Sequence, residues 1–267
     1  MYFQTASGSI YYQVHGPKNA PSLIFTHGGG LNGRMFASQV SAFKDRYRVL
    51  TWDIPGHGRS ALLKGNLDVP KMAKHLVDLM DEVDIDQAVV IGQSLGVYIN
   101  QHAAIAYPKR IKGVVSIGGL PIDQPMRRGE LLMFRALLRI SRLLPAQMIF
   151  RRAAHEKAQT DAARAFFLDS MTAMGKEQFL WMLAGQLDAC DLEVPNAPHQ
   201  PLLITHGEHE MPKSLVSGNR AWHESVPGSR YFEIPGAGHN ANMDNPKAFN
   251  RALADFLRDI WPLREAG

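Results

Sequence analysis

Five residues, Gly92-Gln93-Ser94-Leu95-Gly96, constrain this 267-residue chain more than any others. They follow a wholly apolar run, Ala88-Val89-Val90-Ile91, and precede a helical pattern reaching Tyr107-Pro108. A G-x-S-x-G turn from strand to helix is so tight that the serine backbone is strained and its flanks must be nearly bare. It lifts the serine hydroxyl above the carboxyl edge of a sheet, where open α/β sheets bind ligands. Five residues recur by chance, but a strand before and a helix after are the context the mechanism requires.

The rest of the chain repeats that rhythm. Residues 9–14, 22–26, 48–52, 113–117, 202–205 and 230–234 read as further strands. Helical spacing fills 69–83, with Met72, Leu76, Leu79, Met80 and Val83 on one face and Pro70 in the first turn, and again 213–224 and 246–261. Apolar strands alternating with helices predict a mostly parallel sheet covered on both faces. One interval breaks the pattern. Residues 121–199 hold helical patterns and no strand, opened by Asp123-Gln124-Pro125 and closed by Pro195-Asn196-Ala197-Pro198. The division expected is a core of residues 1–120 and 200–267 with a helical lid, 121–199, inserted between two sheet strands.

A single cysteine, Cys190, excludes an intramolecular disulfide and a four-cysteine zinc site. No run approaches the roughly eighteen apolar residues of a membrane span, and Met1-Tyr2-Phe3-Gln4-Thr5 has no signal-peptide pattern. The expected location is the cytoplasm. Net charge is +4, concentrated in one segment. Arg127, Arg128, Arg135, Arg139, Arg142, Arg151, Arg152 and Lys157 stand against Glu130 and Glu156. No aromatic-plus-basic module accompanies them, so a solvated helix face is expected rather than a nucleic-acid surface.

A serine hydroxyl needs an adjacent base to become a nucleophile. Of the eleven histidines, His239 stands in the turn Gly236-Ala237-Gly238-His239 after the last strand. The base's other N–H requires a carboxylate to fix its tautomer. Glu210, after the strand before last, is the first candidate, with Glu208 and Asp123 as alternatives. His27 and His57 fall in pocket-side loops, whereas His75 and His102 fall inside helices.

With these motifs in this order the chain resembles the α/β-hydrolase superfamily, in its lid-bearing branch of esterases, lactonases and C–C bond hydrolases. His27-Gly28-Gly29 resembles the family's H-G-x oxyanion loop, and Asp53-Ile54-Pro55-Gly56-His57-Gly58-Arg59-Ser60 its D-x-P-G-x-G-x-S loop. Gly207-Glu208-His209-Glu210 resembles the G-x-x-D acid turn, with glutamate in place of the usual aspartate, and the turn at His239 resembles G-x-G-H. Val97 stands where a second small residue often follows the elbow, which predicts looser packing there.

The resemblance implies an α/β-hydrolase fold and a cofactor-free, metal-free serine hydrolase of a small ester, lactone or related carbonyl compound. Ser94 would be nucleophile, His239 base and Glu210 orienting acid, with the backbone N–H groups of Gly29 and Leu95 forming the oxyanion hole. The same triad serves C–C bond hydrolysis and elimination, and a slow ligand-binding receptor on this fold is the rival from another class. The partner expected is a small-molecule substrate; oligomeric state is not legible, a homodimer being one option. Within the lid, residues 130–144 predict a helix with Arg128, Arg135, Arg139 and Arg142 in one stripe. Its apolar arc is wide enough to require burial against more than one partner. A membrane-surface helix is the competing reading.

Overall fold

The structure, a computed structural model, describes residues 1–6, 8–124, 128–190, 194 and 197–261. Arg127 of the basic segment, and Pro125, Pro195 and Asn196 at the edges of the insertion, lie outside the described residues.

Among the described residues eight strands form one sheet. They are β1 (Tyr2–Thr5), β2 (Gly8–His15), β3 (Ser22–Thr26), β4 (Arg48–Trp52), β5 (Ala88–Gln93), β6 (Ile111–Ile117), β7 (Leu202–Gly207) and β8 (Arg230–Ile234). Their spatial order is β1-β2-β4-β3-β5-β6-β7-β8, with the first two pairings antiparallel and the rest parallel. Strands β3, β4, β5 and β7 are buried along their whole length. That is why they read as unbroken apolar runs, since a parallel sheet is covered on both faces. β8, at the edge, is half-exposed.

Crossovers supply the helices. A 3-10 turn (Gly33–Phe36) and α1 (Ala37–Phe43) join β3 to β4; α2 (Val69–Glu82) joins β4 to β5; α3 (Leu95–Ala106) joins β5 to β6. From β3 the chain steps one way to β4 and then back past β3 to β5, so right-handed connections place α1 and α2 on opposite faces. The order of the strands therefore reverses at β3 and β5, and their carboxyl ends form the switch point of the sheet. Helix α2 starts where Asp68 accepts the Lys71 N–H at 2.9 Å with Pro70 inside the first turn, and it buries the predicted Met72, Leu76, Leu79 and Met80.

Among the described residues, four helices fill the interval between β6 and β7: α4 (Arg128–Ser141), α5 (Ala146–Lys157), α6 (Asp161–Met174) and α7 (Lys176–Ala189). After β7 come α8 (Lys213–Ser225), α9 (Ala241–Asp244) and α10 (Pro246–Ile260). Helix α4 corrects one expectation. Its apolar arc is not buried against several partners: Leu132, Met133, Leu137, Ile140 and the following Leu143 are all at least half exposed, and Leu131 is the buried residue. The reason is that α4 packs on α7 through one flank, where Phe134 and Leu138 line a shared groove with Leu183 and Leu187. Arg135 reaches Asp188 of α7 at 3.3 Å, while Arg128, Arg139 and Arg142 stay exposed.

Candidate active site

At the end of β5 the backbone turns through Ser94 with φ 49° and ψ −111°. A left-handed φ on a non-glycine residue costs on the order of 1–3 kcal/mol, and it persists where the surroundings over-determine it. Here they do. The Ser94 N–H donates to Ile117 O of β6 at 2.9 Å, and Ser94 O accepts the Val97 N–H at 2.9 Å. A Cβ on Gly92 would stand 2.5 Å from the Gly96 carbonyl carbon, and one on Gly96 would stand 2.2 Å from Thr26 O. The elbow is thus wedged between β3 and α3, and only glycine fits at either flank. Val97 does not loosen it. That side chain is fully buried against Gly119, whose missing Cβ supplies the room a smaller residue would otherwise have left.

His239 and Glu210 come from the turns after β8 and β7. The His239 Nδ1–H donates to Glu210 Oε1 at 2.8 Å; Glu210 is fully buried and His239 7% exposed. Oε1 also accepts the Met211 N–H at 3.2 Å. Burial by itself drives the Glu210 carboxyl upward, but the charge and hydrogen bond of His239, with Lys157 and His206, outweigh it and leave the group below its ordinary value. The pair is set beside the elbow by two contacts. Gln93 Nε2, one residue before the serine, donates to His239 O at 3.1 Å. Gly118, next to the Ser94-bonded Ile117, lies so close that a Cβ there would be 2.9 Å from His239 Nδ1 and 3.0 Å from Glu210 Oε2.

The other carboxylates stand elsewhere. Glu208 is exposed, and its Oε2 accepts the Gly236 N–H at 2.8 Å; Asp123 is exposed as well. Among the three acids weighed from the sequence, Glu210 is the one bonded to His239.

His27 and His57 are sealed in. The His27 Nε2 accepts the Ile54 N–H at 2.9 Å, so Nδ1 carries the proton and donates to Gly28 O at 2.8 Å. Burial pushes its pKa down to about 4. His57, with its ring 4.9 Å from that of His27, is pushed to about 3 by burial and by the neighbouring imidazole. Both rings are neutral at neutral pH. They brace the loops after β3 and β4, and Asp53 does the same by accepting the Gly33 and Arg59 N–H groups at 2.8 and 2.9 Å.

Gly29 lies after β3 beneath the helical interval: a Cβ there would be 2.5 Å from the Met182 sulfur of α7. Leu95 opens α3, whose amino end carries the partial positive charge of a helix N-terminus. Developing negative charge between these two segments would face that end.

Residues 158–160 and Asp244 were not singled out from sequence, and Lys157 only as one of the basic residues, yet they flank the His239 turn. Asn240 N–H donates to Lys157 O at 3.1 Å, and the Asp244 carboxylate accepts the Gly238 N–H at 2.9 Å. No local pattern announces such contacts; the one available signal is an acid five residues beyond the histidine. A groove of about 460 Å³ lined by Leu203, Arg230, Arg251 and Asp255 sits at the amino ends of β7 and β8, the opposite end of the sheet from Ser94.

Known proteins share this fold. The chain is 26% identical to 3-oxoadipate enol-lactonase 2 of Acinetobacter baylyi over 264 residues, covering 94% of this chain and 93% of that one. In structure it is similar to a thermophilic esterase from Thermogutta terrifontis, with a TM-score of 0.83, 19% identity and coverage of 97% and 98%. It is also similar to the enol-lactonase from Burkholderia xenovorans LB400, with a TM-score of 0.81, 21% identity and coverage of 96% and 99%. The expected α/β-hydrolase enzyme agrees with these relatives. The profile of the alpha/beta hydrolase fold family matches residues 21–246, most of the chain, and the protein belongs to that family.

Proposed function

We propose that this protein is a serine hydrolase of small esters or lactones, working through an acyl-enzyme on Ser94. The observation that carries the reading is the buried 2.8 Å bond between His239 Nδ1–H and Glu210, set beside a serine held at positive φ. With Nδ1 occupied as donor, the His239 Nε2 is left as the proton acceptor. In the proposed reaction the Ser94 Oγ attacks the substrate carbonyl as its proton passes to Nε2, and Glu210 stabilises the imidazolium. The N–H groups of Gly29 and Leu95 hold the oxyanion, a contribution on the order of 10²–10³ in rate per donor. His239 returns the proton to the leaving oxygen, and water, activated by the same base, releases the acid. Relatives named as an enol-lactonase and an esterase support this substrate class.

The helical interval between β6 and β7 acts in this reading as a lid. Met182 of α7 lies over Gly29, and Met171 of α6 reaches 3.0 Å from the Cβ position of Gly30, so the ceiling is apolar and adaptable. The test is turnover of p-nitrophenyl acetate and of a lactone panel by wild type, Ser94→Ala and His239→Ala. Both variants are expected to lose at least about 10³-fold in kcat while remaining folded. Turnover by Ser94→Ala at more than a few per cent of wild type places the nucleophile elsewhere.

A further inference from the structure

One carboxylate outside the triad gathers donors from two distant parts of the chain. Asp244 Oδ1 and Oδ2 both accept the Gln159 N–H at 3.0 Å, and Oδ1 also accepts the Thr160 N–H at 2.9 Å and the Thr160 hydroxyl at 3.1 Å. Oδ2 accepts the Gly238 N–H at 2.9 Å, from the residue before His239. Thr160 is the N-cap of α6, its Oγ1 accepting the Ala163 N–H at 3.3 Å. Asp244 therefore places negative charge at the positive end of a fourteen-residue helix while holding the base loop with its other oxygen. Its partners are all N–H or O–H donors, so an isosteric amide cannot replace it without turning an NH₂ toward them.

Helix α6 carries that anchor across the site. About 16 Å further along its axis stand Ser170 and Met171. Ser170 Oγ accepts the Asn32 Nδ2–H at 3.1 Å, and Met171 presses on Gly30. One end of α6 is fixed to the histidine loop and its far half to the glycine loop after β3.

We propose that Asp244 is a positioning residue for the hydrolysis, holding the His239 loop and, through α6, the glycine loop in one register. It touches neither substrate nor reacting atoms. The inference rests on the Ser94–His239 reading above, and its effect is on how often base and oxyanion donors are in place together. A misplacement of about 1 Å at such a site is worth about 10²-fold in rate.

The experiment measures the rate of Ser94 labelling by a fluorophosphonate, with kcat and KM for p-nitrophenyl acetate, in wild type, Asp244→Asn, Asp244→Glu, Thr160→Val and Asp244→Asn/Thr160→Val. Asp244→Asn is expected to lower labelling and kcat by ~10- to 100-fold with KM little changed, and Asp244→Glu to stay nearer wild type. Thr160→Val, which removes the hydroxyl's bond to Asp244 together with its cap bond from the Ala163 N–H, is expected to lose about two- to tenfold. The double variant should be no slower than Asp244→Asn, because both act through one link. Asp244→Asn labelling at the wild-type rate, whatever its melting temperature, overturns the proposal, as do losses that multiply in the double variant. Should Asp244→Asn fail to fold, Thr160→Val decides alone, and wild-type kcat in that variant is equally contrary. A wild type that does not label at all refutes the Ser94 reading instead.

Discussion

The carboxyl end of the sheet and the helical interval above it are built by different rules. In β3, β4 and β5 every residue is buried; the turn after β5 carries Ser94 on backbone that β6 holds by a hydrogen bond, and the turn after β3 carries the glycine loop braced by the His27 ring. In α4 the outward face is Leu132, Met133, Leu137 and Ile140, with Leu143 just beyond at 86% exposure. The contrast separates two requirements. Reacting groups need fixed geometry, which close packing supplies because packed interiors do not yield gradually. In the proposed reading of the interval as a lid, it needs only enough attachment to find its place, here through α7 on Gly29 and through Asp244 at the start of α6.

That contrast can be broken by stability measurements. Leu50→Ala, in fully buried β4, is expected to lower unfolding stability by about 2–5 kcal/mol, read by denaturant titration. The second expectation concerns pH. His27 and His57 are depressed in the fold, so the unfolded chain binds more protons than the native one between pH 6.5 and about 4. The contribution of these two groups to stability then rises with pH across that window and falls as the solution is acidified. Comparing wild type with His57→Gln isolates one of these protons, worth up to about 1.4 kcal/mol per pH unit. Smallest of all, Leu143→Ser should stay within about 0.5 kcal/mol of wild type. A large loss there would mean that the α4 face is covered in solution.

Much of the rigid half was legible in the sequence, and the reason is physical. Strand β5, the elbow and α3 are contiguous, so local sterics and burial on both faces leave their mark within the run from Ala88 to Ala106. The pairing of His239 with Glu210 followed from tautomer chemistry and chain order, though the choice over Glu208 needed the fold, because an exposed and a buried acid look alike two residues apart. Strand β1 was missed because Tyr2–Thr5 is defined by its register on Tyr11, Ile10, Ser9 and Gly8, not by its own pattern. Helix α1, seven residues long, is too short for a period to show. The exposure of α4 was misread for a related reason: a helix's apolar arc states what it can bury, not which neighbour arrives. Asp244 and Thr160 meet across some eighty residues of chain and leave no local trace.

The central claim is that Glu210 orients His239 for attack by Ser94, and it is tested most directly by the acylation rate of Glu210→Gln against Glu208→Gln. The two acids share one turn and differ in their partners, His239 for the first and the Gly236 N–H for the second. Pre-steady-state release of p-nitrophenolate from p-nitrophenyl acetate reads acylation alone. The account predicts a loss approaching 10⁴-fold in Glu210→Gln, the scale of a base left in the wrong tautomer, with Glu208→Gln close to wild type. Acylation by Glu210→Gln at the wild-type rate, or an equal loss in Glu208→Gln, would contradict it.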